Sequence, residues 1–278
     1  MTVLCATQAH EIPPRILSER SSERVFLGVS ALLFVVSAAL TTLWCESMPP
    51  MGGMPMPGGW TMSMTWMRMP GQTWPMAAAS FVAMWLVMMM AMMLPSLLPL
   101  LRRHRECLAR QGETHIDRLT ALIGLAYFSV WTVLAIVVFP LGATLETLEM
   151  RLPALARTEP ALVGAIVLIC GVVQITPWKA HHLACWREAM RPRHALPSNS
   201  GTAWREGLLL GLHCTYCCAN LTGVLLVIGI MDLRAMAVVT AAMTCERLAP
   251  SGESVARAIG AVVIGAGLLL IARTAGLG

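Results

Sequence analysis

Charge is scarce in this chain: Asp, Glu, Lys and Arg make up 13% of its 278 residues, while 56% are apolar and the mean hydropathy is +0.67. A soluble domain of this length needs far more charge to cover its surface, so a soluble globular fold is excluded. Also missing are a nucleotide-binding glycine motif, a phosphorylatable Asp loop, a nucleophile elbow and an H-E-x-x-H run. Their absence argues against an ATP-driven pump or a membrane hydrolase, and no catalytic residue or catalytic activity of its own is assigned. A cleaved signal peptide is not expected either. The first apolar run follows a polar stretch of 24 residues and lacks a compact basic n-region and a small-residue cleavage site.

What is abundant is apolar sequence in long runs. A helix needs roughly 20 apolar residues to cross about 30 Å of hydrocarbon. Such runs occur at 25–44, 76–101, 119–141, 160–177 and 207–231, with weaker ones at 235–249 and 254–276. The sixth is short for a full span. The seventh carries Arg257 and Arg273 near its ends, where long side chains snorkel to the headgroups. The expectation is an all-α, polytopic bundle of about seven spans.

Basic residues orient it, because cytoplasmic loops carry the excess of Lys and Arg. With the N-terminus inside, 15 of the 20 fall in inner segments, among them Arg102, Arg103, Arg105, Lys179, Arg187 and Arg205. Five fall outside: Arg68, Arg151, Arg157, Arg234 and Arg273. The C-terminus is then outside. The net charge of +5 reflects topology and gives no reason to expect nucleic acid as a partner. The organisation read from this is a cytoplasmic segment 1–24 and one membrane domain 25–278 in a bacterial inner membrane. That domain carries an outer Met-rich loop 45–75 and inner loops 102–118 and 178–206.

Between Met48 and Met93 lie 15 of the 21 methionines, within 46 residues. The thioether is a soft ligand, suited to Cu(I) and unsuited to Mg or Ca. Met48, Met51, Met54, Met56, Met62, Met64, Met67 and Met69 stand among Gly and Pro residues that oppose a regular helix or strand. Such a segment has no core to fill unless it folds back onto the spans, so metal capture is favoured over packing, the ordinary role of Met. Trp60, Trp66 and Trp74 keep the loop at the membrane surface. In the second span Met84, Met88 and Met92 follow i, i+4, i+8, beside a parallel stripe of Trp85, Met89 and Met93. The first stripe is a possible relay, although packing is the commoner role. Pro95 and Pro99 are expected to open the helix near its inner end.

Nine cysteines do not make a disulfide framework, since on this topology only Cys45 faces the oxidising side. The informative group is GLHCTYCCAN, where Cys214, Cys217 and Cys218 have the i, i+3, i+4 spacing of one helical face. His213 is adjacent but turned aside by about 100°. Counted from Gly207, the thiol stripe lies on the order of 10 to 16 Å into the inner leaflet. A single buried Cys is usually packing. Three on one face favour soft-metal binding, although the spacing is not that of a zinc finger.

In TPWKAHHLACWREAM, either His181 or His182 is spaced to share a ligand set with Cys185 if the segment is helical. The plainer reading is an interfacial segment anchored by Trp178, Trp186, Lys179 and Arg187. Glu246, near Pro250, is costly at that depth and is expected to face a partner: Arg247, Lys179 or, less readily, a metal.

Trp85, Met88, Ala91, Met92, Met93, Pro95 and Pro99 resemble the W-x-x-M-x-x-A-M-M-x-P-x-x-x-P signature of the predicted metal-binding integral membrane proteins, a bacterial family. Tyr127 and Trp131 resemble its Y-x-x-x-W, and Thr176, Pro177 and Lys179 its T-P-x-K. Cys214, Cys217 and Cys218 resemble its C-x-x-C-C, Gly229 and Met231 its G-x-M, and Glu246 with Arg247 its E-K. The likeness covers about residues 74–260 and implies metal binding within a membrane bundle. It departs in two places: His181, His182 and Cys185 stand in a shifted register after Lys179, and Ala219 replaces a Trp after the paired cysteines. The leading expectation is a copper-binding membrane protein that collects Cu(I) on the outer methionines and holds or relays it at the intramembrane thiols. The alternative is an accessory subunit of a membrane copper oxidase or monooxygenase, with the Met-rich loop as its interface. Expected partners are the lipid bilayer and a membrane enzyme or metallochaperone.

Overall fold

The computed structural model describes residues 14–47, 54–55, 61–62, 71–151, 153–189, 199–230 and 232–274. Eight helices form among them: α1 (Pro14–Ser47), α2 (Trp74–Arg110), α3 (Ile116–Arg151), α4 (Pro153–Gln174), α5 (Pro177–Ala189), α6 (Ser200–Ile228), α7 (Leu233–Leu248) and α8 (Gly252–Thr274). The β pairing among the described residues is one two-residue antiparallel ladder, β1 (Met54–Pro55) with β2 (Thr61–Met62), which sets Met54 opposite Met62. The protein is all-helical. It fits a multi-pass membrane bundle, because α1, α2, α3, α6 and α8 are long and apolar enough to cross a bilayer.

The count differs from seven in an instructive way. Residues 161–174 of α4 join α5 through a 58° bend and make a sixth candidate only as a broken pair. The break falls where Pro177, lacking an amide hydrogen, starts a new helix. The remaining expected span is α7, a 16-residue helix that covers about 24 Å and falls short of the hydrocarbon thickness. It still reverses the chain. Asn220 of α6 meets Gln174 of α4 and Gly223, further along α6, lies against Cys170, while Gly171 and Gly164 of α4 meet Ile264 and Ile271 of α8. Both α6 and α8 therefore run antiparallel to α4, and α7 carries the chain back between them.

The helices also outrun the apolar segments. The connection expected at 102–118 shrinks to 111–115, and α5 fills much of 178–206. At Pro95 and Pro99 the expectation of an opened helix fails: α2 is continuous through both. Two missing amide donors are tolerated in a long helix packed against neighbours.

Small residues set the closest approaches, as in other membrane bundles. Gly164 and Gly171 on α4 face Gly267 and Gly260 on α8, each pair seven residues apart and so on one face. Gly207 and Gly211 let α6 lie against Ile123, Ala126 and Tyr127 of α3. Arg105 of α2 ties one end together, donating to Asp117 Oδ1 of α3 at 2.6 Å and to Ser22 Oγ of α1 at 2.7 Å. The core runs between α2, α3, α6 and α7 around Trp85, Trp131, Met89, Met93 and Leu97. By contrast α1 exposes Val25, Leu32, Val35 and Leu43, an apolar face suited to lipid.

Candidate functional site

The cysteine stripe falls where its spacing put it. Cys214, Cys217 and Cys218 are all buried on the inward face of α6. What occupies the space in front of them is a cation from the protein itself. Arg247 of α7, 2% exposed, directs Nη2 at Cys214 Sγ and Cys218 Sγ, each 2.9 Å away, and donates to the Cys214 carbonyl at 3.3 Å. Its Nη1 donates to Ser96 Oγ of α2 at 2.9 Å, and the guanidinium lies 4.3 Å from the Trp186 ring of α5. Arg is always charged, and its planar fork can bridge two acceptors while stacking on an aromatic face.

Two further groups complete the cluster. Tyr127 Oη of α3 is 2.7 Å from Cys214 Sγ, and Met93 Sδ of α2 is 3.7 Å from the same sulfur. Thiol, thioether, phenol and guanidinium thus converge from α2, α3, α6 and α7. The residue carrying the thioether is Met93, on the stripe beside Met84, Met88 and Met92. Met88 and Met92 are buried in the core and Met84 is half-buried.

Glu246 is not turned to the thiols. Its Oε2 lies 2.8 Å from Lys179 Nζ, both side chains being about 1 to 2% exposed, and Gln174 donates to its other oxygen. Lys179 also donates to the Cys217 carbonyl, and Asn220 donates to Gln174. Pairing with Lys179, one of the expected alternatives, is what satisfies this buried carboxylate. Consecutive helical residues point about 100° apart, so Arg247 is left to face the sulfurs.

The histidines gather elsewhere. His213, half-buried, bonds the Leu209 carbonyl through Nδ1 at 2.7 Å, and its ring lies 6.5 Å from that of His182. His182 stacks on Tyr216 at 5.3 Å and stands 5.5 Å from His181, whose Nε2 is 3.6 Å from Cys185 Sγ. The structure therefore groups His213 with His181 and His182 on the α5 side of α6, away from the thiol stripe.

Among the described residues, no group of three or more His, Cys, Asp or Glu side chains converges closely enough to hold a metal ion as the chain stands, and no disulfide forms. Of the outer methionines, Met54 and Met62 are described only as backbone partners in the ladder. Met48, Met51, Met56, Met64, Met67 and Met69 lie outside the described residues.

Sequence reasoning missed Arg247 and Met93 as neighbours of the thiols. For Met93 the signal was the Trp85, Met89, Met93 periodicity. For Arg247 it was the charge left over once Glu246 had paired. Tyr127 was singled out only by the family resemblance. Comparison with curated proteins and with solved structures returned no match. The family model described as PpoB2, copper chaperone, matches residues 82–270, which include the whole of α3, α4, α5, α6 and α7 and most of α2 and α8. The sulfur-lined cluster lies wholly inside that match, which covers well over half of the chain, and this protein belongs to the PpoB2 copper chaperone family.

Proposed function

We propose that this protein binds Cu(I) as cargo within a bacterial inner membrane, holding it at Cys214, Cys217 and Cys218 with Met93, and passes it to an acceptor protein. The observation that carries the reading is the seat of Arg247: a positive charge already lies 2.9 Å from two buried sulfurs, with a thioether 3.7 Å from one of them. Soft donors around a cation-accepting position suit Cu(I) and suit hard ions poorly. Glu246 is taken by Lys179, so among the described residues around Arg247 a thiolate at Cys214 or Cys218 is the counter-charge that fits. Binding then moves the guanidinium aside, towards Ser96 and Trp186, and places Cu(I) between the sulfurs. Each thiol that becomes a ligand loses its proton.

Sidedness follows from the Lys and Arg distribution: Met48 to Met69 face outward, the thiols lie in the inner leaflet, and His181, His182, His213 and Cys185 lie at the cytoplasmic boundary. Met48, Met51, Met54, Met56, Met62, Met64, Met67 and Met69 collect Cu(I), Met84, Met88 and Met92 pass it inward, and the histidine group receives it. Affinity rises from thioether to thiolate along this path, and each station must bind weakly enough to release. No fuel-consuming motif is needed for transfer between ligand sets of this kind. A second reading of the same chemistry makes the protein an accessory subunit of a membrane copper oxidase or monooxygenase, with the Met-rich loop as its interface.

Metal content by mass spectrometry on the detergent-purified protein tests this. Copper retained by the wild type, and lost from a Cys214→Ala, Cys217→Ala, Cys218→Ala variant, supports the thiol site. Copper lost on deletion of residues 48–69 supports collection outside. A wild type that binds no Cu(I) even after loading overturns the reading, while a stoichiometric copper-containing partner favours the accessory role.

A further inference from the structure

One pocket stands apart from the thiol cluster. It opens between α1, α2 and α7, encloses about 220 Å3 with the open solvent at its mouth included, and is walled by Thr41, Trp44, Cys45, Met84, Met88, Ile230 and Met236. Four of these seven side chains carry sulfur, and the four come from three different helices. Met is common in cores because it fills irregular gaps. Here the sulfur-bearing side chains border open space, and two of the four, Cys45 and Met236, come from outside the methionine-rich segment 48–93.

We infer that Cys45, Met84, Met88 and Met236 form a second, soft-metal site, an entry station for Cu(I) distinct from the thiols of α6. The inference rests on the copper reading above. One thiolate and three thioethers around a monovalent ion leave no net charge, which is the condition a site inside a bundle must meet. Cu(I) replaces the Cys45 proton, which leaves to water through the pocket mouth, and the thioethers bind without releasing anything. The four donors are all sulfur, while the one hydroxyl in the wall, Thr41 Oγ1, donates to the Ser37 carbonyl at 2.8 Å, so the set suits Mg and Ca poorly. Its position fits entry. Cys45 stands three residues before Met48, the first of the outer methionines. At the other end, Met88 is five residues before Met93, about 7.5 Å along α2 from the thioether beside Cys214. Met236, on α7, has no place in any sequence periodicity of the methionine-rich segment, and only the packing of α7 against α2 brings it here.

The test is thiol alkylation of the full-length protein in detergent, read at each cysteine by peptide mass spectrometry, with and without Cu(I) held reduced by ascorbate. Cu(I) is expected to slow labelling of Cys45 by about tenfold or more, since the metal-bound sulfur is no longer a free nucleophile. The slowing should vanish in Met236→Leu, a swap close in volume that keeps the packing. If Cys214, Cys217 and Cys218 are protected while Cys45 is not, the entry station is overturned and the thiol site stands. If no cysteine is protected, both readings fall. Protection of Cys45 that persists in Met236→Leu also overturns the site as drawn. The first comparison uses the wild type alone and does not depend on any variant folding.

Discussion

Arg247 Nη2 lies 2.9 Å from Cys214 Sγ and equally close to Cys218 Sγ, so one buried guanidinium sits astride the thiol pair. A charge in that position has to be matched, because an isolated ion in an apolar interior costs several kcal/mol even after relaxation, by general estimates of about that size. With Arg247 present, a copper site of two thiolates and one Cu(I) is neutral overall. Without it the same site carries a buried negative charge. Arg247→Met is therefore expected to weaken Cu(I) binding at the thiols by about tenfold or more, the size of one uncompensated charge at reduced dielectric. Competition against a chromophoric Cu(I) chelator, in a Cys45→Ser background, measures it. An affinity that rises instead would mean that Arg247 only competes with the metal.

Met93 makes a cleaner separation between ligand and filler. Its side chain is fully buried and its sulfur is 3.7 Å from Cys214, whereas Met92 stands on the neighbouring stripe. Leucine is close in volume, so either Met→Leu change should cost less than about 1.5 kcal/mol of stability. Met93→Leu should nevertheless lower Cu(I) affinity by about tenfold, the equivalent of about 1.4 kcal/mol, while Met92→Leu leaves it unchanged. Equal effects from both would remove Met93 from the site.

Why one stripe and not the other carries the thioether was not legible in the sequence. In an all-apolar helix both Met84, Met88, Met92 and Trp85, Met89, Met93 satisfy the same periodicity, and only the neighbours of α2 decide between them. The C-x-x-C-C stripe was legible because i, i+3, i+4 geometry is local to one helix. Arg247 entered the sequence reading only as one of the alternative partners of Glu246, beside Lys179 and a metal, because the two adjoin in sequence. The turn between consecutive helical residues sends one to Lys179 and the other to the sulfurs. The fold followed the same division: long apolar runs gave the helices, whereas the 58° bend after α4 falls at a proline, and the ion pair of Glu246 with Lys179 joins residues far apart in sequence.

That ion pair sets the next expectation. Glu246 and Lys179 are almost wholly buried and 2.8 Å apart. Removing one partner leaves the other as an uncompensated buried charge, so Glu246→Gln should cost about 3 to 5 kcal/mol. Adding Lys179→Met should return much of that loss, because replacing both charged groups of a buried pair by uncharged ones is often neutral. Thermal unfolding in detergent, followed for the two single variants and the double, measures the cycle. Additive losses would show that the pair contributes nothing as a pair.

Gly207 tests whether the close approach of α3 and α6 builds the site. A Cβ placed there would stand 2.7 Å from Ala126 Cβ and would also strike the Ile123 carbonyl, so the two helices must separate. At Gly201, near the start of the same helix, a Cβ meets nothing within 4 Å. Gly201→Ala should therefore be neutral or stabilising by up to about 1 kcal/mol, since Ala loses less backbone freedom in a helix. Gly207→Ala should cost about 1 to 3 kcal/mol through overpacking. Its second effect is the informative one. Tyr127 lies one helical turn beyond Ile123 on α3 and meets Cys214 at 2.7 Å, so separating the helices withdraws the phenol from the sulfur. Cys214 should then alkylate faster in Gly207→Ala than in the wild type, while Cys45, on α1, keeps its rate. Unchanged labelling at Cys214 would mean that α3 supports the bundle without shaping the thiol cluster.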